Sequence, residues 1–150
     1  MSTAHECTDA CTHGGAMLSP AQRDAWLELG GYVAAADGIS DEEIAALAAS
    51  ATGPEGDGAA ALAAIQRGAT SSVCPERGIA AAVACDPFIR LQCLSEVFHA
   101  SSADGCSAAE WKRLGQVAGA VLGATKGKVF VELCRAEETV RHLRGALLDA

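Results

Sequence analysis

Ala36-Asp37-Gly38-Ile39-Ser40-Asp41-Glu42-Glu43 and Ala103-Asp104-Gly105-Cys106-Ser107-Ala108-Ala109-Glu110 carry the same message twice, 67 residues apart. In each, Asp-Gly ends one helix, because glycine accepts the backbone conformation that closes a helix C-terminus. Serine then caps the next helix, and the glutamate three residues on can bond back to the serine N–H, which completes a capping box. Leu47 and Leu114 occupy matching places beyond the two signatures. The chain therefore reads as two copies of one helix–turn–helix unit within an all-α, single-domain bundle of about seven helices.

Working outward, Ser19-Pro20-Ala21-Gln22 is a further helix start, followed by Trp26, Leu29, Tyr32, Val33 and Ala36 at helical spacing over about 20–36. After the first signature, Ile44, Leu47, Ala48 and Ala51 form an apolar stripe, and 52–58 is a glycine-rich loop. A third helix over about 58–68 carries Leu62 and Ile65, and Pro75 opens a short fourth through Ile79 and Val83. Asp86-Pro87 starts a fifth helix whose inner face is expected to hold Phe88, Leu91, Leu94, Val97 and Phe98. The sixth carries Trp111, Leu114, Val117, Ala118, Val121 and Leu122. The last stretch, about 125–148, carries Val129, Phe130, Leu133, Val140, Leu143 and Leu147, and is expected to divide near Gly127 or Arg135. Gly115, Gly119 and Gly123 recur every four residues, a spacing that suits close helix contact.

Composition agrees with packed helices. Half of the 150 residues are hydrophobic, much of that alanine, the best helix former, and only six are aromatic. A chain of this length buries roughly 70% of its unfolded surface and needs no metal or disulfide to fold. The net charge of −8 argues against DNA or RNA as a partner. No apolar run approaches the ~20 residues of a membrane span. The opening Met1-Ser2-Thr3-Ala4-His5-Glu6-Cys7 has no basic or apolar signal region, which implies a cytoplasmic chain with its seven cysteines reduced. Lys112, Arg113, Lys126, Lys128, Arg135, Arg141 and Arg144 all lie in the last third, either as solvated helix faces or as a surface for an acidic partner.

The doubled signature resembles the tellurite-resistance TerB-like proteins, whose two helical repeats each hold an Ala-Asp-Gly turn followed by a glutamate-bearing helix. The matching residues are Ala36, Asp37, Gly38 and Glu43, and Ala103, Asp104, Gly105 and Glu110, with Leu122-Gly123 closing the later helix; the resemblance covers about 19–150, behind a polar leader over 1–18. It implies a cytoplasmic, stress-linked, non-enzymatic helical domain with a protein partner. It also implies a divalent-cation site, calcium for instance, on Asp37, Glu43, Asp104 and Glu110, with Asp41 and Glu42 as outlying candidates. One residue, Ile39 or Cys106, separates glycine from cap here, where many members have two.

Two readings of the turns stand side by side. Hard cations take six or more oxygens, and turns facing each other across a pseudo-twofold could pool theirs. Capping alone also explains every residue of the signature. An EF-hand is excluded, since the positions before each Asp-Gly are helical and mostly without oxygen ligands. His5, Cys7, Cys11 and His13 form a second candidate set, suited to zinc or copper, which would make the chain a thiol-based metal-binding or redox protein working through its leader. Cys93 and Cys134 read as buried apolar residues, and His99, just before the second turn, could add a nitrogen to a site at Asp104. No Ser-His-Asp or Cys-His arrangement, Cys-x-x-Cys pair or phosphate loop is legible.

Overall fold

A computed structural model describes residues 18–51 and 58–149. Among them are seven α-helices and no strand: α1 Pro20–Ala34, α2 Asp41–Ala51, α3 Gly58–Ala69, α4 Glu76–Val83, α5 Pro87–Ser101, α6 Ala108–Leu122 and α7 Ala124–Leu148. A single 3-10 turn, Ala35–Asp37, tightens the end of α1 before the first signature glycine.

Helix α1 is the central post. Nine of its fifteen residues are buried, on all sides, including Trp26, Leu27, Leu29, Tyr32 and Val33. Trp26, Leu29, Tyr32 and Val33 join a core with Ile89, Leu94, Phe98, Leu114, Val117 and Phe130 from α5, α6 and α7. Leu27 and Ala34 face a second core with Leu47, Ala61, Ala64, Ile65 and Ala100 from α2, α3 and α5. Each fully buried leucine or isoleucine here contributes about 1.5–3 kcal/mol. Helix α3 lies so near α1 that a Cβ at Gly68 would sit 1.8 Å from the Glu28 carbonyl oxygen, and one at Gly31 would sit 2.1 Å from that of Ile65. Glycine at these two places sets the interhelix distance.

The repeat is visible in three dimensions. Helices α1 and α2 correspond to α5 and α6, and the packing is exchanged: α2 lies on α5, while α6 lies on α1 and the 3-10 turn. Matching positions are buried in both copies, Leu27 with Leu94, Glu43 with Glu110, and Leu47 with Leu114.

Three sequence expectations are corrected. In α5, Phe88 and Leu91 point outward, and the buried face runs through Ile89, Cys93, Leu94, Val97 and Phe98. Both stripes have helical spacing; only the second meets α1, so the choice was made by the neighbour. The last stretch does not divide: α7 is one helix of 25 residues. Gly127 interrupts nothing because its bare backbone is what allows α7 to approach α6, a Cβ there falling 2.7 Å from the Gly119 nitrogen. Of the apolar residues read along α7, only Phe130 is buried; Val129, Leu133, Val140, Leu143 and Leu147 are exposed. No described helix is long and apolar enough to cross a membrane.

Candidate functional site

Both Asp-Gly turns close their helices through a glycine in the left-handed region, Gly38 at φ 102° and Gly105 at φ 95°. The serines two residues on then open α2 and α6 with the anticipated capping boxes. Ser40 N–H donates to Glu43 Oε2 at 2.8 Å, and Glu43 N–H donates to Ser40 Oγ at 3.2 Å. Ser107 N–H donates to Glu110 Oε1 at 3.1 Å, and Glu110 N–H donates to Ser107 Oγ at 3.2 Å. The capping reading of the signature is therefore correct as far as it goes.

It leaves the burial unexplained. Capping glutamates ordinarily lie in solvent, whereas Glu43 and Glu110 are each 1% exposed. The exchanged packing turns them toward each other. Glu110 feels the charges of Asp37 and Glu43, and Glu43 feels that of Asp104 and lies within hydrogen-bonding reach of it. Each glutamate thus meets the aspartate of the other repeat, and all four sequence-predicted carboxylates share one neighbourhood. The glutamates form its buried floor, and Asp37 and Asp104 its exposed rim. Asp41 and Glu42 are exposed on the first turn of α2 and are not among the charges acting on either glutamate.

The electrostatic consequence is direct. Burial raises the Glu110 carboxyl to about 7 against the pull of its Ser107 bonds, and the negative charges of Asp37 and Glu43 add to the rise. Burial likewise raises Glu43, opposed by the Ser40 backbone bond and reinforced by Asp104. Like charges brought together out of water hold protons or require a cation. The capping box occupies Glu110 Oε1; its Oε2 is buried and has no hydrogen-bond partner. At the same time, no three His, Cys, Asp or Glu side chains among the described residues stand at metal-ligating spacing. The site as found suits protons.

Each turn is anchored from outside the cluster. Arg113 Nη1 donates to the Tyr32 carbonyl oxygen at 2.7 Å and its guanidinium lies 4.4 Å over the Tyr32 ring, while Tyr32 OH donates to Gln116 Oε1 at 2.7 Å. This fixes the end of α1 against α6. The second turn is held by α7, where Cys106 N–H donates to Glu138 Oε1 at 2.9 Å and Arg135 stacks 4.6 Å over Trp111. His99 takes part in that support, with Nε2 2.6 Å from Glu137 Oε1. It faces α7 and supplies no nitrogen to Asp104, contrary to the sequence expectation. An open groove of about 580 Å³ between Gly105, Cys106 and Ser107 and the later turns of α7 lies outside the carboxylate cluster.

Cys85, Cys93 and Cys134 are buried free thiols, as read for the last two from sequence. Burial pushes Cys93, Cys106 and Cys134 each up to about 12, so at neutral pH they are protonated thiols. His5, Cys7, Cys11 and His13 lie outside the described residues. Sequence reading had no means of finding the Tyr32–Arg113–Gln116 clasp, in which Tyr32 lies more than 80 residues from both partners. No protein-family model, no curated protein and no solved structure matches the chain.

Proposed function

We propose that this chain is a non-enzymatic TerB-like domain that binds a hard divalent cation such as calcium between its two Asp-Gly turns and acts in a cytoplasmic response to metal or tellurite stress through a protein partner. The observation that supports this reading is the buried Glu110 Oε2, which has no hydrogen-bond partner and lies in the field of Asp37 and Glu43. Asp37, Glu43, Asp104 and Glu110 would hold the ion, with water completing a shell of six to eight oxygens. The cation would supply the positive charge that protons supply in its absence. Oxygen donors of this kind favour calcium, magnesium or manganese over zinc or copper.

The test is a set of thermal melts at pH 7.5 with calcium, magnesium or manganese against chelator. A cation at 100 times its Kd adds about 2.7 kcal/mol, or about 5–10 °C in a domain of this size. The shift should vanish in the Asp37→Asn/Asp104→Asn variant. No shift with any of the three ions, or an unchanged shift in that variant, refutes the reading. Zinc or copper bound by the wild-type chain and lost in Cys7→Ser/Cys11→Ser would favour the leader instead.

A further inference from the structure

Helix α7 is anchored by one face only. Its buried residues are Gly127, Phe130 and Cys134, and from Thr139 to Asp149 no residue is buried. On another face Val129, Leu133, Ala136, Val140, Leu143 and Leu147 follow one another at steps of 4, 3, 4, 3 and 4 residues. That alternation of 4 and 3 is the heptad seam of a two-stranded coiled coil, and at 100° per residue the six span an arc of about 80°. The five large side chains are exposed, from 46% at Val140 to 79% at Leu147. Together they offer on the order of 500 Å² of apolar surface per copy, at the upper end of what a monomer exposes.

We propose that this seam pairs with the same seam of a second copy, antiparallel and centred near Glu138. In that register Val129 meets Leu147 of the second copy, Leu133 meets its Leu143, and Ala136 meets its Val140. Three observations select this occupant. First, the seam covers on the order of 1,000 Å² when two copies meet, the lower threshold for a biological interface and the size of a weak, reversible one. Second, the flanking charges choose the direction. Glu137 and Arg144 lie on the same edge of the seam and Glu132 lies on the other. An antiparallel pair sets like edges together and brings Glu137 to Arg144 of the second copy twice over, against a single Glu137–Glu137 approach at the centre. A parallel pair sets opposite edges together and would face Glu132 with Glu137. Glu137 holds His99 of its own chain through Oε1, which leaves Oε2 for the partner arginine. Third, the antiparallel register lays each unsupported half of α7 along the half that is seated on the other copy's body.

The experiment is sedimentation velocity on the full chain under reducing conditions, from about 1 to 500 µM. A reversible dimer is expected. Leu133→Glu/Leu143→Glu, at two exposed positions where the fold is checked by circular dichroism, should weaken it by at least tenfold. Arg144→Glu and Glu137→Arg should each weaken it, and the two together should restore it. A chain that stays monomeric at every concentration refutes the pairing; failure of that monomer to bind an apolar dye at α7 would assign the seam to residues 1–17. A dimer indifferent to the double leucine change also refutes it. Tightening by Glu137→Arg alone would show a parallel pair and overturn the proposed direction.

Discussion

Replacing Glu110 with glutamine should make the protein clearly more stable at pH 8 and only slightly more stable at pH 5. Glu110 titrates at about 7 in the fold and near 4.5 when unfolded. A carboxyl raised in this way takes up a proton on folding between those values. Its contribution is therefore most favourable below about pH 4.5 and is lost as pH rises through 7. The difference of 2.5 units corresponds to roughly 3 kcal/mol at pH 8. Glutamine keeps the shape, and its carbonyl oxygen can still accept from Ser107 N–H, while its amide donates toward Asp37 or Glu43. At pH 5 Glu110 is protonated in the fold, so no charge-assisted bond is lost there, and at pH 8 the Ser107 bonds are already contained in the titration near 7. The net expectation is roughly 3 kcal/mol of stabilisation at pH 8, seen as a Tm increase of about 6–12 °C, and about 1 kcal/mol or less at pH 5, where the unfolded carboxyl is already mostly ionised. Urea unfolding of both proteins at the two pH values measures the double difference, in which titrating groups not coupled to Glu110 cancel. Equal destabilisation at both pH values would mean that Glu110 is an ordinary capping residue and that the carboxylates do not repel.

Calcium binding, if Glu110 is a ligand, should release close to one proton at pH 6 and strengthen between pH 6 and 8, because the ion displaces the proton held at about 7; calorimetry in buffers of different ionisation enthalpy measures this. Gly68→Ala should destabilise by more than 3 kcal/mol in urea titrations, since its Cβ would lie 1.8 Å from the Glu28 oxygen. Gly145→Ala, with nothing within 4 Å of the new Cβ, should instead stabilise by about 0.5–1 kcal/mol. Cys93 and Cys134, buried and raised to about 12, should resist alkylation at pH 7.5 at a rate set by unfolding, followed residue by residue by mass spectrometry.

The helix boundaries were legible because they are local. Ser19, Ser40, Asp86 and Ser107 cap within three residues of themselves, and each cap forms as the sequence indicates. Facing was less legible where a helix carries two apolar stripes or one surplus stripe. The choice between Phe88 and Ile89, and the exposure of Leu133, depend on which helix lies opposite. The four candidate carboxylates were found from sequence, but their burial was not. Burial arises from exchanged packing of α2 on α5 and α6 on α1, and no spacing within either repeat encodes it.

The capping boxes and the crowding of four carboxylates involve the same residues, and the fold holds both at once. A capping glutamate commits one carboxylate oxygen to the serine N–H and leaves the other unassigned. In a single helix–turn–helix unit that second oxygen is solvated and inconsequential. Doubling the unit, with α2 packed on α5 and α6 on α1, places the carboxyls of Glu43 and Glu110 beside the aspartates of the opposite turns and out of water. Capping fixes where the two carboxyls are, and duplication determines that they repel. The repulsion follows from the repeat itself, so it should be relieved by neutralising any one member of the cluster. Restoring the charge at the same place should bring back the dependence on pH.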